Sequence, residues 1–167
     1  MKVFGRMLLF MLCTCVLSGA VDGYAEQGDV DMPHRTEEIW CENGSNRIYG
    51  IAYIPEAEGR LPLVIFSHEL GNNHESGVRY AERLAAHGYA SYVFDFCGGS
   101  AGGTQNRSDG SISEMSVLTE ASDLSAVLDA AKAWPFVDSE KIFLLGGSQA
   151  AWSPSSRAAN ARTSSRA

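Results

Sequence analysis

Lys141-Ile142-Phe143-Leu144-Leu145-Gly146-Gly147-Ser148-Gln149-Ala150 runs from a short apolar stretch straight into a turn of small residues. A continuous apolar run of strand length is what a strand covered on both faces needs, since neither face meets water. The small residues behind it predict a sharp strand-to-helix turn, with no room for flanking side chains and with the Ser148 hydroxyl projecting from the sheet edge. Gly146 and Gly147 fit that turn, and Ala150 meets its size demand without matching the last glycine of Gly-x-Ser-x-Gly. Gly-Gly-Ser alone is a common turn, so its meaning depends on what precedes it.

Upstream, Val117, Ala121, Leu124, Leu128 and Ala131 recur at helical spacing, with acids near the start, Lys132 near the end and Pro135 beyond. Before this helix, Ala90 to Phe96 reads as a strand that ends in the glycine-rich segment from Cys97 to Gly103. Val78, Ala81, Leu84 and Ala85 share a second helical stripe, with Ser76 placed as N-cap and Gly88 as the stop. Leu63 to Phe66 is another short buried strand, and Asn46 to Ile54, stopped by Pro55, suits an early antiparallel one. Strand, helix, strand, helix, strand predicts an α/β fold with a mostly parallel sheet and helices on both faces. Chemistry in such sheets sits at the carboxyl ends of the strands. Here those ends carry the loops 67–74, 97–103 and 146–150.

The 167 residues are 45% hydrophobic and 20% charged, and 13 Lys+Arg against 20 Asp+Glu give a net charge of −7. That balance excludes a phosphate-neutralising stripe, so no nucleic-acid partner is expected. The four cysteines show no metal-binding spacing, and neither a dinucleotide fingerprint nor a P-loop occurs, so no metal and no cofactor are expected. Lys2 and Arg6, the apolar run Met7 to Val16, and Ser18, Gly19 and Ala20 form the layout of a signal peptide over 1–25, cleaved after Ala20 or Ala25. The chain is therefore expected to be secreted, periplasmic or otherwise extracytoplasmic. The apolar run falls short of the roughly 20 residues that span a membrane. Cys41 and Cys97 then remain, either paired or as two buried thiols. Residues 26–45 read as a polar lead-in, 46–149 as the folded part, and 150–167 as a low-complexity tail of alanine, serine and arginine.

A serine that is acylated needs two backbone N–H donors aimed at the oxygen of the tetrahedral intermediate. With a nucleophile turn of this kind they come from Gln149, the residue after the serine, and from the loop after an earlier strand, at Leu70. His68 reads as a loop histidine with a structural hydrogen bond, His74 and His87 as solvated. Asp95 reads as a strand-end structural residue, and Asp109, Asp123 and Asp129 as surface or helix acids.

Four ordered segments carry a resemblance: His68-Glu69-Leu70-Gly71, Tyr92-Val93-Phe94-Asp95-Phe96, Met115-Ser116-Val117-Leu118-Thr119-Glu120 and Leu145-Gly146-Gly147-Ser148-Gln149. Together they resemble the α/β-hydrolase superfamily, nearest to bacterial cinnamoyl/feruloyl esterases and serine-aminopeptidase-like members, over roughly residues 46–149. The resemblance implies a serine hydrolase acting on carboxylic esters, with Ser148 as nucleophile. Glu69 departs from it where many members have glycine, and Ala150 with the tail replaces a Gly-Gly and an apolar helix. In that fold the triad acid and histidine follow the serine, yet no Asp, Glu or His follows Ser148. The expectation is a fold truncated before its acid and base; the alternative is a non-catalytic fragment. Read one base earlier, codons for 149–153 can give Gly-Gly-Val-Val after the glutamine, and those for 161–164 Pro-Asp-Glu, as a frameshifted tail would. The overlapping frame should then stay open and encode an aspartate and a histidine. The substrate stays open between an aromatic ester, a short acyl ester and a small peptide.

Overall fold

The computed structural model describes residues 31–99 and 105–147; the expected signal peptide and tail lie outside the described residues. The elements in order are strands β1 (His34–Asn43), β2 (Asn46–Pro55) and β3 (Leu61–Ser67), helix α1 (Glu75–Ala86), strand β4 (Ala90–Phe94), helix α2 (Val117–Ala131) and strand β5 (Val137–Gly146). A single 3₁₀ turn at Ile112–Glu114 precedes α2. The strands form one mixed sheet in the order β1-β2-β4-β3-β5. β1 pairs antiparallel with β2, and β2 with β4, whereas β3 pairs parallel with both β4 and β5.

Alternation along the strands separates two cores. Ile48, Ala52 and Ile54 of β2, Leu63 and Ile65 of β3, and Tyr92 and Phe94 of β4 pack with Leu124, Val127 and Ala131 of α2. The intervening side chains Tyr53 and Val93, with Ile51 and Phe66, pack with Val78, Ala81 and Ala85 of α1. Gly77 lets α1 lie this close, because a β-carbon there would run into the Phe66 ring and the Val93 side chain. The helix ends at Gly88, whose φ of 83° is a left-handed value that suits glycine.

Three expectations are corrected. The lead-in is strand from His34 onward: β1 is an outer strand, mostly exposed, with Ile39 half-buried and Cys41 buried toward the core, too little apolar alternation to notice. His74, not Ser76, is the N-cap of α1, because the Ser76 hydroxyl donates back to the Asn73 carbonyl (2.8 Å) from inside the first turn. α2 buries Leu124 and Ala131 of the expected stripe and half-buries Ala121 and Leu128, but Val117 is exposed, and Glu120, Asp123 and Val127 join the buried face. Asp123 is a helix acid, one of the two alternatives read for it, and is turned to the buried side. Both Cys41 and Cys97 are buried free thiols, which decides the open alternative.

Candidate active site

The parallel register brings three chain exits to one edge of the sheet. Phe66 is opposite Val93, and Ser67 is opposite Gly146, so β3, β4 and β5 release their loops at the same level. The loop after β3 is tied down at once by His68, which is buried. Its Nε2 accepts a hydrogen bond from the Phe96 N–H (3.2 Å), so its proton is on Nδ1, which donates to the Glu69 carbonyl (2.8 Å). Burial lowers the pKa of this imidazole, with the Glu69 carbonyl opposing. His68 is a neutral latch between two loops, with no free nitrogen to act as a base.

Beyond the latch, Asn72 N–H donates to the Glu69 carbonyl (3.1 Å) and the Asn72 amide donates to Glu69 Oε1 (2.9 Å), which closes a turn over Glu69–Asn72. Leu70 occupies the tip of this turn with its side chain 52% exposed, and its N–H has no partner among the described residues. An N–H left open on a rigid turn is what an oxyanion donor requires.

The loop after β4 is anchored more heavily. Asp95 is fully buried, and its Oδ1 accepts from the His74 N–H (2.6 Å) and from His74 Nδ1–H (2.8 Å). Its Oδ2 accepts from the Arg107 N–H (2.9 Å). Burial by itself would raise this carboxyl, but the hydrogen bonds from the His74 ring and from the Arg107 and His74 N–H groups hold it below the usual range. The structural role read for Asp95 is the one observed; His74, expected to be solvated, is buried as its partner. The Arg107 guanidinium lies 3.7 Å from the centre of the Tyr49 ring and pairs with Glu38 (2.7 Å), so this cluster also reaches back to β1 and β2. On the α2 side, Asp123 Oδ2 accepts from the Cys97 N–H (2.8 Å) and its Oδ1 from the Asn43 amide (2.8 Å). Burial, and then the Asp123 charge, push the Cys97 thiol up to about 12, so it is no nucleophile at neutral pH.

Of the expected site residues, Gly146 ends β5 opposite Ser67 and Gly147 follows it, while Leu70 stands on the neighbouring loop. Ser148, Gln149 and Ala150 lie outside the described residues. Beside Gly146 and Gly147, on the α1 face, opens a groove of about 290 Å³, with Phe66, Tyr80 and Leu145 as its apolar wall and Glu69, Asn72 and Ser76 as its polar one. Among the described residues no cluster of His, Cys, Asp and Glu could hold a metal ion, and no helix is long and apolar enough to cross a membrane.

No family model and no curated protein matches the sequence. Solved structures do match the arrangement just described. A structure of Est1E from Butyrivibrio proteoclasticus with bound ferulic acid superposes with a TM-score of 0.63 at 24% identity, over 75% of this chain and 48% of that one. The alpha/beta hydrolase GrgF from Penicillium sp. sh18 gives 0.55 at 22%, over 69% of this chain and 37% of that one. The fold is that of the α/β hydrolases. A third neighbour, DcsB in complex with its substrate analogue, gives 0.60 at 26% identity over 68% of this chain and 37% of its own. The chain thus spans less than half the length of each of these three proteins.

Proposed function

We propose that this chain is the nucleophile-bearing part of an exported serine hydrolase of the carboxylic-ester class. The observation that carries the reading is the Ser67–Gly146 pairing: Leu70, whose N–H has no partner among the described residues, is three residues on from one strand end, and Ser148 two on from the other. In that reading Ser148 Oγ attacks the acyl carbon as a histidine takes its proton, the Leu70 and Gln149 N–H groups hold the oxyanion, and the ester C–O bond breaks as that proton passes to the departing alcohol. Water then attacks the acyl-enzyme and releases the acid. The ferulic acid held by the Est1E neighbour makes aromatic esters the first substrates to assay, ahead of short acyl esters and small peptides.

One observation favours a second reading, a hydrolase fold with no turnover of its own. The serine's proton must pass to an imidazole, yet His68 and His74 are both committed, one between Glu69 and Phe96 and the other to Asp95. Incubation with a fluorophosphonate probe separates the two. Labelling of the chain, abolished by Ser148→Ala, is expected under the first reading; a folded chain that takes up no label favours the second. Without a base, ester turnover is expected to reach at most about 10³ to 10⁴ over water.

A further inference from the structure

The groove between α1 and β5 has a one-sided chemistry. Its polar wall presents acceptors. Glu69 has one carboxylate oxygen occupied by the Asn72 amide and makes no ion pair among the described residues. That same contact uses an Asn72 amide hydrogen, and the Ser76 hydroxyl has spent its hydrogen on the Asn73 carbonyl (2.8 Å), which leaves the oxygens of both to accept. Among the described residues no Lys, Arg or His lines the groove. The first turn of α1 offers an anion nothing, because the Glu75, Ser76 and Gly77 N–H groups are taken by the Asn73 side chain, the Asn73 carbonyl and the His74 carbonyl. Opposite, the Phe66 and Tyr80 rings stack at 5.6 Å and 16° into one aromatic face.

We propose that this groove binds a primary ammonium group carried on a short arm from an aromatic ring. The ring lies on the Phe66–Tyr80 face beside Leu145, and the ammonium donates to the free Glu69 oxygen and to its polar neighbours. An ammonium brings three donors and no acceptor, the complement of that wall, and gains further from nearby ring faces. A carboxylate or phosphate would meet Glu69 and, among the described residues, no counter-charge. Because the groove abuts Gly147, such a group would be the part of the substrate that selects it; that consequence rests on the hydrolase reading, whereas the binding does not.

The test is titration of the full chain, in dilute solution at low salt, with 2-phenylethylamine, 2-phenylethanol and phenylacetate, followed by calorimetry and by the amide resonances of the lining residues. The amine is expected to bind about fivefold tighter than the alcohol through its pairing with the exposed Glu69 carboxylate, and phenylacetate most weakly. Glu69→Gln should bring the amine to the level of the alcohol, and Tyr80→Leu should weaken both; each residue is exposed, so neither variant disturbs the core. Equal binding of the three compounds, no binding by any, or an amine affinity untouched by Glu69→Gln overturns the proposal. Amine binding without fluorophosphonate labelling sinks the hydrolase reading alone, and labelling without amine binding sinks the groove alone.

Discussion

Two buried titratable side chains set the response of the molecule to acid. His68 is held below its ordinary pKa by burial, so it contributes stability that is complete above about pH 6.5 and is lost as the pH falls from there through the folded value. Asp95 is also depressed, and its contribution is complete above about pH 3.9 and lost as the pH falls through its lowered value. Glu120, raised by burial and then by the Asp123 charge, works the other way, so its carboxyl favours the fold at lower pH. The urea midpoint is therefore expected to fall in two stages between pH 7 and 3. His68→Gln should flatten the first stage, and Asp95→Asn the second. Asp95→Asn should also cost about 3 kcal/mol at pH 7, since three N–H donors lose a carboxylate acceptor. A one-stage decline indifferent to His68→Gln would refute this account. The structural roles of His68 and Asp95 were readable because each sits at a strand exit. That of His74 was not, since its partner is 21 residues away and only the packing of α1 brings them together.

Legibility at the level of elements depended on how much of each element is dry. β3 and β4 are buried on both faces and announced themselves as apolar runs. β1 was hidden by its exposed charges, although Gly44-Ser45 ahead of a β-branched stretch is a hairpin signal, and Gly44 takes the φ of 63° that such a two-residue turn demands. In α2 apolar periodicity found Leu124 and Ala131 but missed the acidic part of the buried face, because Asp123 turns inward to meet the Cys97 N–H and the Asn43 amide and takes Glu120 with it. Where a buried hydrogen bond sets part of a helix face, that part carries no apolar period to read. For α1 the deciding residue was Gly77, where closeness to the sheet leaves no space for a methyl group. Gly77→Ala should therefore destabilise the fold by about 1 to 3 kcal/mol despite its gain in helix propensity. Chemical denaturation measures this directly, and a neutral or stabilising result would mean that α1 can lift off the sheet at no cost.

Over the whole molecule, the sheet is covered unevenly. α1 packs over β2, β3 and β4 on its face of the sheet, and Phe143 and Leu145 of β5 point to that same face at 44% and 38% exposure. Among the described residues β5 pairs with β3 and with no strand on its other side. An edge strand with open backbone groups and a row of exposed apolar side chains is a template for another chain. Lys141, the charge best placed to deter this, is already drawn to Asp138 (2.9 Å). The chain is therefore expected to associate with itself as its concentration rises, visible by sedimentation velocity as a growing fraction of dimer and larger species. Phe143→Lys puts a charge in the middle of the exposed row without entering either core, and should return the chain to monomer with its thermal midpoint little changed. Phe143→Ala removes the apolar surface but leaves the backbone edge open, and should fall between the two. Were the unmodified chain monomeric at every concentration reached, β5 would have to be covered by polypeptide outside residues 31–147, and the edge would be no template.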